Sequence, residues 1–384
     1  MREILFDLTR LLDRALQGRL PTGIDRVCLE YVRHFHDRSR VLVRYGRRRV
    51  TLGPADSRRV FKALLDPDDR FESIVRWCVS KSYFTRWYDD SHSNVLFNIG
   101  HSGLDRQEYP AYVQRYDLRP IFFLHDLIPI SHPEYCRPGE AEKHHKRLAT
   151  MLTLSHGIIV NSAATGSELE SYARQQQMQL PPLVVAPLAP SQLYPPGEKR
   201  PLAAPYFVVL GTIEPRKNHS LLLHIWRQLV MDYGDAAPRL VIIGQRGWEC
   251  EQVVDMLERC TILSGFVIEH SKCNDQELGT WLHHARALLF PSFIEGFGIP
   301  VVEALAMKVP VISSDLPVLR ETGSFIPEYL DPLDGRAWRD AILDYARPDS
   351  AARRAQCQRI EGFKTPTWEE HFKRVDGLVE KCLA

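Results

Sequence analysis

Two glutamates flank a glycine-rich turn that has the composition of a ligand-binding segment. Glu295 is followed by the turn 296–300, with the sequence Gly-Phe-Gly-Ile-Pro, and Glu303 comes three residues after it. The apolar run before the turn is typical of a buried strand, and Pro300 is typical of the first position of a helix. Glycines let a ligand approach the backbone, and the amide groups at a helix start attract anions such as diphosphate. We therefore predict an anion site at this turn, with Glu303 in the first turn of the helix.

The two carboxylates indicate that the ligand carries hydroxyl groups as well as an anion. Carboxylates beside a phosphate would repel it, unless they accept hydrogen bonds from hydroxyls. Sugar and ribose hydroxyls fit that role, so Glu295 and Glu303 are predicted to bind hydroxyls and not to act as an acid and base pair. The alternative is an ordinary strand-to-helix turn, in which Glu303 only interacts favourably with the helix dipole.

A second candidate segment, residues 209–219, contains Arg216 and Lys217. It follows an apolar strand and leads into a helical pattern. Open α/β sheets bind their ligands at the carboxyl ends of strands, where Arg offers a planar fork and Lys a mobile charge to phosphate oxygens. These cations would supply the positive charge that the carboxylates lack. The alternative is an exposed pair of cations at a solvated corner.

Short continuous apolar runs predict the strands that position these segments. Continuous runs are typical of strands buried on both faces of a parallel sheet, and each run here is followed by a turn and a helical pattern. The chain is therefore predicted to be α/β, with two Rossmann-like doubly wound domains facing a central cleft. The predicted strand runs are residues 95–99, 121–124, 157–160, 205–210, 240–243, 287–290 and 309–312.

A proline-rich stretch marks the predicted boundary between the domains. Residues 181–205 contain eight prolines and few periodic apolar residues, which is typical of a linker. We predict an acceptor-side domain over 1–195 and a nucleotide-sugar-binding domain over 196–364. The amphipathic segment 365–384 is predicted to be a terminal helix that crosses back to the first domain.

The first half offers weaker candidates. His125 follows the strand run 121–124, where a histidine is as often structural as functional. Gly23 lies in the turn 20–26, which precedes a helical pattern and is a second candidate phosphate loop. With a single glycine, this turn is not a dinucleotide fingerprint.

An arginine-rich segment is followed by aromatic residues. Cations beside Trp and Tyr indicate contact with anionic lipid headgroups, each cation contributing about 1 kcal/mol. The alternative is a charged loop followed by a helix that faces the core. The residues concerned are Arg38, Arg40, Arg44, Arg47, Arg48, Arg49, Arg58 and Arg59, then Phe71, Trp77, Tyr83, Phe84, Trp87 and Tyr88.

Composition and charge exclude several classes. The chain has 384 residues with 44% hydrophobic residues, enough for two cores, and a net charge of +1 does not favour nucleic-acid binding. No apolar run approaches the ~20 residues of a membrane span. The eight cysteines and most histidines are scattered, so we predict reduced thiols, no metal site and no cofactor. A cytoplasmic protein is expected, at most at the cytoplasmic face of the inner membrane.

Together these segments resemble glycosyltransferase family 4, a group of retaining enzymes with the GT-B fold. Residues 295–303 match its E-x7-E motif, and residues 211–218 match its phosphate loop. Residues 264–267 resemble its base-contacting turn, which gives Val267 a donor-binding role. The resemblance is good over 205–320 and weaker in the first half.

The resemblance implies roles for the carboxylates and for the turn between them. Glu295 would bind hydroxyls of the donor sugar and Glu303 the ribose. Phe297, Gly298 and Ile299 would offer backbone amides to the sugar and the phosphates.

The remaining implied roles concern the charged groups and the first half. Arg216 and Lys217 would stabilise the leaving diphosphate without a metal. His125 would contact the donor sugar near the reacting carbon, and Gly23 would let the first domain close over the phosphates. Gly211 would begin the phosphate loop.

One departure concerns Thr212, which stands where many family members have an arginine. Arg216 and Lys217 are then the main charges of the loop. The variant Gly-Thr-Ile-Glu-Pro-Arg-Lys-Asn resembles that of bacterial mannosyl- and rhamnosyltransferases of surface-polysaccharide assembly, including lipopolysaccharide O-antigen, which favours a GDP-linked donor.

These features predict transfer of a hexose, with retention, from a nucleoside-diphosphate sugar to a hydroxyl of a growing, lipid-linked glycan. Two alternatives stay open: a sugar-nucleotide epimerase of the same fold, and a non-catalytic scaffold that binds sugar nucleotides. A nicotinamide dehydrogenase is disfavoured because no strand is followed by G-x-G-x-x-G.

Overall fold

The computed structural model describes residues 4–19, 21–45, 48–85, 95–190 and 195–383. Trp87, Tyr88 and Arg47 of the predicted lipid-contacting segment lie outside these ranges. The chain divides into two compact units. The first unit comprises Met1–Ser131, Pro138–Leu188 and Trp368–Ala384, and the second comprises His132–Arg137 and Ala189–Thr367.

The first unit is built on a seven-stranded sheet with the order β3-β2-β1-β4-β5-β6-β7. Every described pair is parallel except β2 with β3, which is antiparallel at the sheet edge. The strands are β1 (Ile4–Asp7), β2 (Ser39–Tyr45), β3 (Arg48–Thr51), β4 (Val95–Asn98), β5 (Arg119–Leu124), β6 (Gly157–Val160) and β7 (Leu183–Val185).

Nine described helices complete this unit. They are α1 (Thr9–Leu16), α2 (Gly23–Phe35), α3 (Pro54–Leu65), α4 (Phe71–Thr85), α5 (Glu108–Arg115), α6 (Ile128–Ser131), α7 (Glu140–Leu154), α8 (Ala163–Gln175) and α16 (Trp368–Leu383). Strands β1, β4 and β6 are buried at every residue, because both faces of the sheet are covered. Tyr31, Phe97 and Phe123 fill the layer beneath α16, with ring centroids 5.9 Å from Tyr31 to each phenylalanine.

The terminal helix α16 belongs to the first unit, as predicted. The Tyr31 hydroxyl lies 2.9 Å from His371 Nε2, and His371 Nδ1 lies 3.0 Å from the Pro187 carbonyl oxygen. A Cβ atom on Gly157 would lie 2.8 Å from Leu378 Cδ2, so β6 accepts the helix only because this residue is glycine. The end of the chain is thus held by packing as well as by hydrogen bonds.

The second unit contains a six-stranded parallel sheet with the order β10-β9-β8-β11-β12-β13. Its strands are β8 (Tyr206–Leu210), β9 (Arg239–Ile243), β10 (Val267–His270), β11 (Leu288–Phe290), β12 (Val311–Ser314) and β13 (Glu328–Leu330). Its described helices are α9 (His219–Tyr233), α10 (Glu251–Arg259), α11 (Asp275–His283), α12 (Ile299–Ala306), α13 (Pro317–Gly323), α14 (Gly335–Ala346) and α15 (Ala351–Ile360). Phe207, Trp226 and Trp338 lie fully buried in its core.

The prediction of two doubly wound α/β domains is confirmed. The alternative interpretation of residues 38–59 as a charged loop is wrong for much of its described part, because Arg40, Arg44, Arg48 and Arg49 lie on β2 and β3. Interruption by arginines explains the error. Arg40, Arg44 and Arg49 are half-buried and Arg48 is exposed, and they divide the buried residues Val41, Leu42, Val43 and Val50 into runs too short to indicate a strand.

Candidate active site

The predicted ligand segments of the second unit meet at one edge of its sheet. Strands β8 and β11 are neighbours, and their carboxyl ends lead into the Gly211 and Glu295 segments. Gly211 has φ +141°, and a Cβ atom on Gly244 would lie 2.0 Å from the Gly211 carbonyl oxygen. This close approach requires glycine at position 244 and packs the Gly211 loop against the loop after β9.

Glu295 is clamped between the two predicted cations. Its Oε2 atom accepts a hydrogen bond from Arg216 Nη1 at 2.8 Å, and its Oε1 atom accepts one from Lys217 Nζ at 2.5 Å. The backbone supports the arrangement, since the Phe293 amide donates to the Arg216 carbonyl oxygen at 2.8 Å. The structure therefore brings Glu295 together with Arg216 and Lys217, although Glu295 follows Arg216 by 79 residues in the sequence.

Electrostatics keep Glu295 ionised. Burial raises the pKa of this carboxyl, but Arg216 and Lys217 outweigh burial and lower the pKa to about 2. Burial also lowers the pKa of the Lys217 amine, against the attraction of Glu295. A buried carboxylate held by two cations is a charge network that an incoming anion can rearrange.

A third carboxylate, Glu214, completes this network and was not among the predicted site residues. Its Oε1 atom lies 2.6 Å from Arg216 Nε, and its side chain is 3% exposed. Burial raises the pKa of Glu214, although Arg216 and Lys217 act in the opposite direction. The sequence gave only a weak indication of a role for Glu214, which precedes Arg216 by two residues. Nothing local indicated that it is buried.

The glycine turn leads into α12 as expected, but the helix begins one residue earlier than predicted. The helix begins at Ile299, so Pro300 is the second helical residue and Glu303 lies beyond the first turn. The cap residue Gly298 has φ +92°, and a Cβ atom there would lie 2.5 Å from Leu319 Cδ2. Gly298 and Ile299 supply two of the first amides of the helix, which lack intrahelical acceptors, and Phe297 directly precedes them. Glu303 is 7% exposed.

Thr212 lies with this site, but Val267 does not. Thr212 follows Gly211 directly, and its Cγ2 atom would lie 2.7 Å from a Cβ atom on Gly247. Val267 is the first residue of β10, so it lies at the amino edge of a parallel sheet, opposite the edge that carries Gly211 and Glu295. The placement of Val267 in the donor site is wrong. The carboxyl end of β10 is His270, and residues 271–273 follow it.

Gly23 in the first unit begins a helix and does not form an open loop. Thr22 caps α2, and the Asp25 carboxylate accepts hydrogen bonds from the Thr22 amide at 2.8 Å and from the Thr22 hydroxyl at 2.7 Å. Arg14 Nε donates to the same carboxylate oxygen at 2.8 Å. The start of α2 is thus fixed by a buried carboxylate, which the turn pattern did not predict.

His125 lies in a cluster of three buried histidines in the first unit, the other two being His101 and His144. The His101 ring centroid lies 5.3 Å from that of His125 and 6.1 Å from that of His144. The Nε2 atom of each ring lies near a backbone carbonyl oxygen. The distance is 2.6 Å from His101 to Phe123, 2.9 Å from His125 to Ile99 and 3.2 Å from His144 to Asp126.

These carbonyl partners define the tautomers. An Nε2 atom beside a carbonyl oxygen must carry the proton, so each neutral ring presents Nδ1 as an acceptor. Burial lowers the pKa of His125 to about 4 and lowers the pKa values of His101 and His144 as well. The cluster is therefore neutral at pH 7 and can accept hydrogen bonds from hydroxyls. Position along the sequence gave no sign that His101 and His144 lie beside His125.

In the described part of the chain, no three or more His, Cys, Asp or Glu side chains are arranged so that they could hold a metal ion. Among the described helices, none is long and apolar enough to cross a membrane.

Residues 204–346 match the family model of the glycosyl transferases group 1, which contains every predicted site residue of the second unit. This part of the chain belongs to that family.

The chain is homologous to O-antigen mannosyltransferases. It is 29% identical over 258 residues to O-antigen chain mannosyltransferase B of Escherichia coli, covering 65% of this chain and 67% of the relative. It is 32% identical over 154 residues to O-antigen chain mannosyltransferase RfbU of Salmonella typhimurium, covering 38% and 40%. It is 27% identical over 216 residues to the serotype-specific mannosyltransferase WbdA of Escherichia coli, covering 52% of this chain and 26% of WbdA, so it spans about a quarter of that relative.

Solved structures share the fold along nearly the whole chain. Anabaena Alr3699/HepE in complex with UDP and glucose has a TM-score of 0.70 at 14% identity, covering 99% of this chain and 100% of that one. Sucrose-phosphate synthase from Thermosynechococcus elongatus has a TM-score of 0.64 at 16% identity, covering 100% and 99%. At these identities the likeness concerns the fold, and the predicted GT-B fold is confirmed.

Proposed function

We propose that this chain is a retaining hexosyltransferase that uses a nucleoside-diphosphate sugar. The observation that carries the proposal is the clamp of Glu295 between Arg216 and Lys217, in a domain of the glycosyl transferases group 1. Two cations beside the start of α12 suit a diphosphate. The acidic residues Glu295 and Glu303 suit the hydroxyls of the sugar and the ribose.

The same residues can provide the chemistry of transfer. Arg216 and Lys217 stabilise the charge that develops on the diphosphate as the bond between the anomeric carbon and the phosphate oxygen breaks. The acceptor oxygen forms its bond on the same face of the sugar, and the acceptor proton passes to the leaving phosphate oxygen. This route needs no protein base and no metal. Activity that survives chelation of divalent cations supports it, and complete loss after chelation contradicts it.

We propose mannose, carried by GDP, as the favoured donor. Support comes from the names of the relatives, which are mannosyltransferases. HepE is solved with UDP, so the nucleotide needs a direct test. Residues 271–273, at the carboxyl end of β10, lie at the sheet edge of the site and are the segment we expect to contact the base.

A product assay tests donor and reaction together. The protein is incubated with GDP-mannose, UDP-glucose and other nucleotide sugars, with and without a membrane extract that contains lipid-linked glycans. The expected result is hexose transfer that depends on the extract, with the α-linkage of the donor kept in the product. Donor conversion to an epimer without extract favours the sugar-nucleotide epimerase. Binding without any turnover favours the non-catalytic scaffold.

A lipid-linked acceptor would bring the protein to a membrane, and a surface of the first unit suits that contact. Tyr45, Trp77 and Phe84 are 52%, 52% and 80% exposed on β2 and α4. Cations lie over neighbouring rings, with the Arg59 guanidinium 5.6 Å and the Lys81 amine 4.9 Å from the centroid of Trp77. We propose that this aromatic and basic surface contacts anionic headgroups at the cytoplasmic face of the inner membrane.

Vesicle sedimentation tests the surface. Binding to vesicles that contain phosphatidylglycerol is expected to exceed binding to phosphatidylcholine vesicles and to fall with salt. The Trp77→Ala/Phe84→Ala variant is expected to bind at least about fivefold more weakly, since both side chains are lost from the interface. Phe325→Ala is the matched control, because Phe325 is 85% exposed but lies in the second unit. Equal loss in the control would contradict the proposal.

A further inference from the structure

The charge balance around Arg216 poses a problem for an anionic ligand. Two cations, Arg216 and Lys217, face two carboxylates, Glu214 and Glu295, so the net charge of the four is zero. The diphosphate of a nucleotide sugar brings two further negative charges. Inside a buried site these charges would face the two carboxylates with little screening from solvent.

Glu295 is poorly suited to take up a proton. It is paired with both cations, and its predicted task is to accept hydrogen bonds from sugar hydroxyls. Glu214 differs, because its ion pair is with Arg216 and it contacts that guanidinium from the Nε side. When a diphosphate attracts Arg216, the interaction that keeps Glu214 ionised becomes weaker.

Lys217 also acts on the charge of Glu214, but its amine is already paired with Glu295, whose own charge opposes ionisation of Glu214. The packed loop after β9 also carries Arg246, but the Arg246 guanidinium pairs with Glu258 and Glu269, at 2.8 Å to Glu269 Oε2. Burial already raises the pKa of Glu214 before a ligand arrives.

We propose that Glu214 is a positioning residue that takes up a proton from solvent when the donor diphosphate binds. In the free protein, its carboxylate holds the Arg216 guanidinium in place. In the donor complex, the neutral carboxyl no longer competes with the phosphate oxygens for the charge of Arg216. This inference rests on the proposed function, since it assumes a nucleoside-diphosphate sugar at the site.

The sign of the pH dependence follows from linkage. Uptake of a proton on binding means that donor affinity rises as pH falls between the pKa of Glu214 in the complex and its pKa in the free protein. Affinity changes by at most tenfold per pH unit for one proton. A nucleotide sugar is the suitable probe, because its diphosphate is esterified at both ends and does not itself titrate near neutral pH.

Calorimetric titration in two buffers of different ionisation enthalpy counts the protons. With GDP-mannose or UDP-glucose, wild-type protein is expected to take up between about half and one proton per bound donor at neutral pH. Glu214→Gln mimics the neutral carboxyl. It is expected to take up none, and at high pH to bind the donor at least as tightly as wild type. A merely structural role for Glu214 would weaken binding in this variant instead.

The matched control removes another Arg–acid pair of the second unit. Asp232→Asn breaks the 2.9 Å pair with Arg339 near the end of α9, far from the start of that helix, and is expected to behave as wild type. Binding without proton uptake by the wild type overturns the inference and leaves the proposed function standing. Uptake that is unchanged in Glu214→Gln also overturns it. If no nucleotide sugar binds the wild type, the proposed function fails and the inference fails with it.

Discussion

The carboxyl edges of the two sheets are built from opposite chemistry. The edge of the second unit holds four charged side chains in direct contact, with Glu295 at its centre. The edge of the first unit that carries His125 holds neutral imidazoles whose Nε2 atoms are bound to backbone carbonyls. Paired charges can be exchanged for those of an incoming diphosphate, whereas neutral acceptors suit uncharged hydroxyls. One fold, used twice, therefore presents paired charges at the sheet edge of one unit and neutral acceptors at the sheet edge of the other.

Removal of Glu295 is expected to have the largest effect. Glu295→Ala leaves Arg216 and Lys217 without their shared carboxylate and removes a hydroxyl acceptor, so kcat/KM with the true donor should fall by about 100-fold or more. Steady-state kinetics measure this effect. Glu295→Gln keeps the shape of the side chain and shows whether charge or packing is responsible. A loss of less than about tenfold in Glu295→Ala would count heavily against the role.

Acid is expected to destabilise the first unit through its neutral histidines. The pKa of His125 is lowered to about 4 by burial, so the unfolded chain binds a proton below about pH 6.5 while the folded chain does not. Stability is therefore complete above pH 6.5 and is lost as pH falls toward 4, by at most on the order of 3 kcal/mol for this residue.

Urea unfolding at several pH values measures that slope. His125→Asn removes the titrating ring, so the variant should lose less stability between pH 6.5 and 4 than wild type does. A slope as steep as that of wild type would show that His125 is not held neutral.

A smaller effect is expected at the start of α12. Gly298→Ala places a Cβ atom at φ +92° and 2.5 Å from Leu319 Cδ2, which should displace the turn and cost about 1–2 kcal/mol. Donor affinity should fall by about tenfold, measured by calorimetry, because the amides of the turn move with it. Unchanged affinity would show that the turn does not contact the donor.

The smallest effect is expected in α16 of the first unit. A Cβ atom on Gly377 would meet no atom within 4 Å, and the residue lies inside the helix. Gly377→Ala should therefore stabilise the protein by up to about 1 kcal/mol in thermal unfolding and leave kcat/KM unchanged. A loss of activity would indicate that α16 takes part in the reaction.

The central parallel strands could be predicted from the sequence because burial on both faces leaves a continuous apolar run. The strand β5 and the strand β9 are examples, each recovered to within two residues. The hairpin of β2 and β3 was missed because arginines interrupt its short apolar stretches. Strand β10 was missed because each of its four residues is only partly buried, so its composition is mixed.

The site residues could be predicted where they lie close together in short segments of the sequence. Arg216, Lys217 and Glu295 belong to two short segments, and parallel topology brings such segments to one edge. Val267 was misplaced because a resemblance in composition does not show at which end of a strand a residue lies. Glu214 and His101 were missed for another reason: their importance comes from burial and from partners that only the tertiary structure supplies.

The central claim is that Arg216 and Lys217 bind the diphosphate of a nucleotide sugar, and calorimetric titration tests it most directly. GDP-mannose and UDP-glucose are titrated into wild type, Arg216→Ala/Lys217→Ala and the surface control Arg339→Ala. At least one donor is expected to bind the wild type and the control equally, and the double variant about 100-fold more weakly, since charge-assisted hydrogen bonds to phosphate are lost. Equal affinity of the double variant and wild type would contradict the account.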